Sequence, residues 1–321
     1  MWFLFALATT LLWGSADLFY KKGAGLAEKY THLKTAICVG LVMGVEALIT
    51  LISIKFSYNF LNILIYLPVS LMYMLSMIIG YYGLKFLRLS VSSPIQNSSG
   101  AVTCILCIIF LKQFPGKLSL FAVILISIGV LFLGIIEKKE EDENSKSQPG
   151  GDSPVKSQAG GEKNKKYTIG FIAFFMPVIY CVIDSLGTFF DAFYLDDAAS
   201  TPLILGNEDY LEQTANISYE MTFFICALLL LIYLIFIKKE SFSLNKQGDR
   251  ATAAVFEALG QGTYVYAMSS FAAVAAPMIA SYSIISLILS RIFLKERLSL
   301  KQYISVILVL IGIVILGITG D

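Results

Sequence analysis

Ten long apolar runs constrain the fold more than any other feature of this chain. A helix of about 20 residues crosses a hydrocarbon core of ~30 Å. Backbone polar groups in lipid must be bonded internally, and the runs lack the alternation of barrel strands. We therefore predict an all-α membrane protein with ten transmembrane helices, a class that the 57% hydrophobic content also favours. The runs lie at 2–20, 34–54, 62–84, 93–111, 118–136, 168–193, 218–237, 251–269, 271–294 and 300–319.

The distribution of charge predicts the orientation of these helices. The loops after odd-numbered helices hold all but three of the 24 Lys and Arg residues, the exceptions being Lys55, Lys112 and Lys117. Basic loops remain in the cytoplasm, so both termini are expected outside the plasma membrane. The formal net charge of +1 leaves no basic patch for nucleic acid. We expect the lipid bilayer and a small molecule as partners, expect no cofactor or metal, and leave a homodimer open.

A polar segment divides the chain into two similar parts. Residues 137–166 are charged and rich in Gly, Ser and Pro, a composition typical of a flexible linker. We predict a first five-helix repeat over 1–136, a cytoplasmic linker over 137–166 and a second repeat over 167–321. A shift of 183 positions aligns Pro94 with Pro277, Ser98 with Ser281, Gly129 with Gly312 and Gly134 with Gly317.

An odd number of helices per repeat has a consequence for function. The second repeat enters the membrane from the opposite side, so the two repeats are predicted to be inverted. Such an arrangement suits alternating access, because rocking near-equivalent halves exposes a central site to either side. This inference favours transport without naming a solute.

Several stretches resemble a known family. They are "LLWGSADLFYKKG" (11–23), the "SSP" and "AAP" tripeptides at 92–94 and 275–277, and "FLKERLSLKQYISVILVLIGIVILGI" (293–318). On these stretches the chain resembles the EamA-like family of the drug/metabolite transporter superfamily. One departure is Gln113, which stands where the second repeat has Glu296.

The resemblance implies a central cavity surrounded by helices one to four and six to nine, with helices five and ten outside it. It thereby implies which polar and aromatic residues can reach a solute. With Tyr264, which shares a helical face with Glu257 and Gln261, the predicted substrate-binding residues are Trp13, Glu46, Tyr73, Asn97, Asp184, Glu257, Gln261, Tyr264 and Tyr282.

The buried carboxyls are candidates by themselves, since ionisable groups in hydrocarbon are costly. Glu46 lies twelve residues past Lys34, roughly 18 Å along its helix. It is either a protonated carboxyl bonded to a neighbouring helix or a proton-coupling or substrate-binding group. The Glu257 face is either a cavity wall or an interhelical hydrogen-bond cluster. Beside Glu46, Gly40 and Gly44 predict close helix packing.

Aspartates on helices one and six form a second set. "WGSAD" (13–17) can be laid on "YCVID" (180–184), so Asp184 is the predicted counterpart of Asp17. Asp17 either pairs with Lys21 or lines a pathway. Asp191, two turns beyond Asp184, is expected to be solvated at the outer interface. Pro277, within an apolar run, is expected to mark a kink.

These observations favour a secondary transporter for a small polar metabolite such as an amino acid, with proton coupling through Glu46 or Glu257. A sugar porter of the glucose/ribose type and a non-transporting scaffold remain alternatives. An enzyme is disfavoured, because the sequence contains no HExxH motif and its one His, His32, lies outside the apolar runs. No nucleotide-binding GxxxxGK[ST] motif is present, so a solute or ion gradient is the expected source of energy.

Overall fold

The architecture was analysed in a computed structural model of the chain. It describes residues 1–24, 29–53, 57–83, 96–146, 163–196, 202–206, 210–293 and 298–319. Within these ranges all regular secondary structure is helical, with no strand.

Eleven α-helices make up the described structure, and each of the ten predicted apolar runs falls on helix wherever it is described. The helices are α1 (Trp2–Ala24), α2 (Thr31–Ser53), α3 (Leu61–Ile65), α4 (Leu67–Gly83), α5 (Ser99–Phe110), α6 (Lys117–Lys146), α7 (Lys163–Tyr194), α8 (Leu211–Ile232), α9 (Gly248–Ala280), α10 (Tyr282–Phe293) and α11 (Leu300–Thr319). A π-helical turn, Tyr233–Ile237, extends α8.

Six helical segments in the described parts of the chain are long and apolar enough to cross a membrane. One of them, Gly248–Phe293, spans 46 residues and joins two of the predicted runs. Leu67–Gly80 and Ser99–Phe110 are apolar but shorter, and residues 84–95 between them lie outside the described structure. Apolar side chains such as Ile52, Phe110 and Ile318 are exposed on the outside of the bundle, as lipid-facing residues are.

Helices from the two halves pack against each other in a regular pattern. The most extensive pairings join α1 to α9, α2 to α8, α4 to α7 and α6 to α11, followed by α5 to α9. If the predicted repeats are exchanged, the α1–α9 pairing becomes the α7–α4 pairing, while α2–α8 and α6–α11 map onto themselves. The two halves are therefore interleaved and form one core.

Glycines allow two of these pairings to be close. A Cβ at Gly40 would lie 2.3 Å from the carbonyl oxygen of Phe223 and one at Gly44 would lie 2.2 Å from the ring of Phe224, which confirms the predicted close packing of α2. In the α6–α11 pair, a Cβ at Gly129 would lie 2.6 Å from Val309 and one at Gly312 would lie 2.6 Å from Ile126.

The structure differs from the sequence prediction at two places. Helix α6 continues to Lys146 and α7 begins at Lys163, so helix covers both ends of the segment predicted as linker, while 147–162 lie outside the described residues. The kink in α9 lies at Phe271, whose φ of −161° and ψ of 76° are extended, rather than at Pro277. Pro277 lies within the helical stretch that follows, three residues before α9 ends at Ala280.

Candidate functional site

A cavity with a volume of ≈ 180 Å³ lies between the two halves of the chain. That volume accommodates several water molecules or a small solute. Helices α1, α4, α5, α7, α8, α9 and α10 contribute to its wall, whereas α6 and α11 do not. The lining residues are Trp13, Asp17, Tyr20, Tyr73, Met77, Gly80, Gln96, Asn97, Ser99, Gly100, Tyr180, Asp184, Thr188, Tyr219, Glu257, Tyr264, Ala276, Ile279, Ala280 and Tyr282.

Three carboxyl groups face this cavity, and no Lys, Arg or His is among its described lining residues. The Ser286 hydroxyl donates a hydrogen bond to Asp17. Asp184 accepts hydrogen bonds from Ser76, at 3.3 Å, and from Ser99 and Tyr180. Hydroxyl groups bond two of these carboxyls, and the described wall of the cavity is acidic, which suits a solute that carries positive charge or several hydrogen-bond donors.

Another part of the cavity wall consists of aromatic rings. Trp13 stacks on Tyr264 with ring centroids 5.2 Å apart, and Tyr282 meets Trp13 edge-on at 6.2 Å. The Trp13 indole N–H donates to the carbonyl oxygen of Glu257 at 3.2 Å. Gly260 makes this possible, because a Cβ there would lie 2.4 Å from Cδ1 of Trp13. The α1–α9 contact thus holds a flat aromatic surface beside the Glu257 carboxyl.

A layer of hydrogen-bonded side chains closes one end of the cavity. The Tyr73 hydroxyl donates to Thr188 Oγ1 at 2.8 Å and lies 2.6 Å from the Tyr264 hydroxyl. Beyond this layer, Tyr66 donates to Asp191, which is only 1% exposed. The α3–α4 and α7 ends are thereby tied together over the cavity.

The expectation that Asp191 is solvated is wrong, since only 1% of its surface is exposed and its carboxyl accepts a hydrogen bond from Tyr66. Leu203 is buried and the Asn62 side chain exchanges two hydrogen bonds with the backbone of Ile204, at 2.8 and 2.9 Å. Residues 202–206 are therefore held against Asn62 of α3, four residues before the Tyr66 that bonds Asp191, an arrangement that helix position alone does not reveal.

One comparison with known proteins finds a match in the second half of the chain. The model of the EamA-like transporter family matches residues 219–318, which extend from within α8 to the last turn of α11. Residues 219–318 are thus similar to the EamA-like transporter family, which is part of the drug/metabolite transporter superfamily. This similarity and the six long apolar helical segments among the described residues support a multi-pass membrane protein.

Other comparisons concern the whole chain. No curated protein sequence matches it. A solved protein crystal structure aligns over 98% of this chain and 96% of its own, with a TM-score of 0.64. The sequence identity is 11%, so the likeness concerns the fold alone.

The structure brings seven of the nine predicted substrate-binding residues to one cavity. Those seven are Trp13, Tyr73, Asn97, Asp184, Glu257, Tyr264 and Tyr282. Asp17 joins them; it lines the cavity and bonds Ser286, while the Lys21 side chain lies outside the described residues.

Glu46 and Gln261 are not among the cavity-lining residues, contrary to the prediction. The glycine face of α2 packs closely on α8, which directs Glu46 toward α8 and Gly262, away from the cavity. Gln261 is turned about 40° from Glu257 around α9. Depth along its helix predicted Glu46 and a shared helical face predicted Gln261, but the direction that a side chain takes around the helix depends on which helices pack together.

The predicted substrate-binding residues did not include Tyr20, Tyr180, Thr188 and Tyr219, which also line the cavity. A signal was available for Tyr180, since the alignment that pairs Asp17 with Asp184 also pairs Trp13 with Tyr180. A Cβ at Gly80 would lie 3.1 Å from the Tyr180 ring, much as Gly260 lies against Trp13.

The departure at Gln113 also has a structural explanation. The helical stretch after the kink at Phe271 begins with backbone N–H groups that lack helical partners. Gln113 Oε1 accepts the N–H of Ala273 at 3.0 Å, while its Nε2 donates to Asp196 at 3.4 Å. A glutamate could accept the first bond but could not donate the second. Its counterpart Glu296 lies outside the described residues.

Proposed function

We propose that this chain is a secondary transporter that moves a small polar metabolite bearing an amino group across the plasma membrane by alternating access. The observation that carries the proposal is the acidic cavity between the two halves, closed at one end by the layer of Tyr73, Thr188 and Tyr264. An amino acid or a related amine matches the three carboxyls, and the rings of Trp13 and Tyr282 provide contact for its apolar part.

Two inverted repeats are part of this proposal, and the α6–α11 contact supports them. Gly129 packs against Ser305 and Val309, while Gly312 packs against Ala122 and Ile126. Each contact maps onto the other under the shift of 183 positions found in the sequence. A two-fold relation between ten helices arranged as five and five accounts for this reciprocity and for the symmetric helix pairings.

The orientation follows from the basic loops. Tyr20, Gly80 and Gln96 line the cavity and lie near helix ends that adjoin the loops rich in Lys and Arg. With those loops in the cytoplasm and both termini outside, the structure corresponds to a state open toward the cytoplasm. The hydrogen-bonded layer and the Tyr66–Asp191 pair then form the closed outer side.

The energy source in this proposal is an ion gradient, with protons at Glu257 as the simplest case inside the cavity. A sugar porter of the glucose/ribose type is the second candidate function. The stacked Trp13 and Tyr264 rings favour it, since aromatic faces suit the apolar faces of a sugar ring.

Thermal unfolding of the purified full-length protein in detergent tests the solute class. Amino acids, polyamines, neutral sugars and nucleobases are added separately, because a ligand that binds the folded state raises the unfolding temperature. We expect a rise with amines that is lost in Glu257→Gln. A rise with sugars alone would favour the sugar porter.

Proteoliposomes then test transport itself. Uptake of the ligand that stabilises the protein should follow an imposed ion or solute gradient. Binding without any flux in either direction would reject the transporter and support a non-transporting scaffold.

A further inference from the structure

A second polar cluster lies outside the cavity, where α2, α8 and α9 meet. Gly40 contacts Phe223 and Ala227, and Gly44 contacts Phe224, so these helices run in opposite directions past each other. Two residues further along α2, Glu46 reaches the level of Glu220 on α8. The two carboxyls lie close enough for their charges to repel.

Glu220 is the most deeply buried carboxyl of the pair, with 0% of its surface exposed. The Asn216 amide, one turn earlier on α8, donates a hydrogen bond to Glu220 Oε1 at 2.7 Å. Among the described residues, neither Glu220 Oε2 nor Asn216 Oδ1 has a hydrogen-bond partner. Leaving a buried oxygen unsatisfied costs about 1–3 kcal/mol, and more for a charged group.

The surrounding helices offer no positive side chain to these oxygens. Residues 35–53 of α2, 210–237 of α8 and its π-helical turn, and 251–280 of α9 contain no Lys, Arg or His. A Cβ at Gly262 would lie 3.5 Å from Glu46 Oε1, so the α9 side of the junction also presents no polar side chain at this position. A counter-charge for the ionised pair would therefore have to come from outside the three helices.

We propose that Glu46, Asn216 and Glu220 form a binding site for a monovalent alkali cation such as sodium. A cation satisfies the carboxylate oxygens and the Asn216 carbonyl oxygen together, whereas one proton satisfies only one oxygen atom. Calcium takes six to eight oxygen ligands, more than these three side chains supply. The role of this cation as the coupling ion rests on the proposed transport function; its binding does not.

The polar face of α8 also provides a route to this site. Gln213 lies seven residues before Glu220, which places it on the same helical face within about 20°. Its Oε1 is buried and has no hydrogen-bond partner among the described residues. Gln213, Asn216 and Glu220 thus present oxygen atoms from the start of α8 toward the middle of the helix.

Binding of radioactive ²²Na⁺ to the purified full-length protein, in the absence of any organic solute, tests the site directly. We expect saturable binding by the wild-type protein that excess non-radioactive NaCl displaces. In parallel, NaCl or KCl should raise the unfolding temperature by about 2–4 °C relative to choline chloride at equal ionic strength. Both effects should disappear in Glu220→Gln.

Glu212→Gln is the matched control, since Glu212 is also on α8 but bonds Ser269 instead; it should retain both effects. If Glu220→Gln does not fold, Glu46→Gln replaces it. Absence of ²²Na⁺ binding by folded wild-type protein would overturn the proposal. So would stability that responds to pH but not to sodium or potassium, which would assign a shared proton to the pair.

The same samples distinguish this proposal from the proposed transport function. Solute binding is read separately through Glu257→Gln. Cation binding without solute flux would support the cation site and reject transport. Solute flux without cation binding would support transport and reject the cation site.

Discussion

The carboxyls that line the cavity and those buried outside it differ in how their oxygens are satisfied. Asp17 and Asp184 accept hydrogen bonds from hydroxyl groups and lie beside open volume. Asp191 and Glu220 are almost completely buried, and each has one oxygen with no partner among the described residues. The same side-chain chemistry thus lies beside open volume in one place and is enclosed by packed helices in the other.

Substitutions of two glycines on α9 are expected to give the largest difference in stability between these regions. Gly260→Ala should destabilise the protein by about 2 kcal/mol or more, because the new Cβ would overlap the Trp13 ring at 2.4 Å. Gly262→Ala should be neutral or stabilising, since its Cβ meets Glu46 at an ordinary 3.5 Å and alanine favours helix. Thermal unfolding of both variants measures the difference, and equal losses would contradict the described α1–α9 contact.

The closed end of the cavity should respond to loss of the Tyr66 hydroxyl. Tyr66→Phe removes the hydrogen bond that Tyr66 donates to Asp191 Oδ1, at an expected cost of about 1–3 kcal/mol. Hydrogen exchange should increase in α4 and α7 near these residues. Tyr58→Phe is the control, because Tyr58 bonds Ser218 outside this layer. Unchanged exchange in Tyr66→Phe would show that the pair does not hold the outer side closed.

For ligand binding in the cavity, we expect the charge of Glu257 to matter more than the size of its side chain. Glu257→Gln preserves the size of the side chain, so we expect binding of an amine ligand to weaken by about tenfold, or 1.4 kcal/mol, with little change in stability. Titration of the wild-type and variant proteins with the same ligand measures the affinity. A neutral ligand provides the comparison and should bind both proteins alike; an equal loss for both ligands would indicate a general disturbance.

The smallest effect is expected at Gln113. Gln113→Glu retains the acceptor for Ala273 but loses the donor to Asp196 and places two carboxyls together, so a loss of about 1 kcal/mol is expected. Gln113→Ala removes both bonds and should cost slightly more. Unfolding temperatures at low and high salt separate the contributions, since screening should improve the glutamate variant and leave the alanine variant unchanged.

The sequence predicted helix positions, because apolar runs are local patterns. Tyr73 and Tyr282, named through the implied family architecture, line the cavity. The sequence did not predict the burial of Asp191, whose carboxyl bonds Tyr66 from a distant part of the chain. Nor did depth along α2 reveal that Glu46 faces α8, because that depends on which helix the glycines contact.

The reciprocal contacts of Gly129 and Gly312 have a further consequence for how such a molecule can diversify. None of the described lining residues of the cavity is on α6 or α11, and each of these helices supplies the other with the same small-residue notch. This contact is therefore separate from the described wall of the cavity. Substitutions on the inner helices can change that wall while the contacts of Gly129 and Gly312 stay as they are.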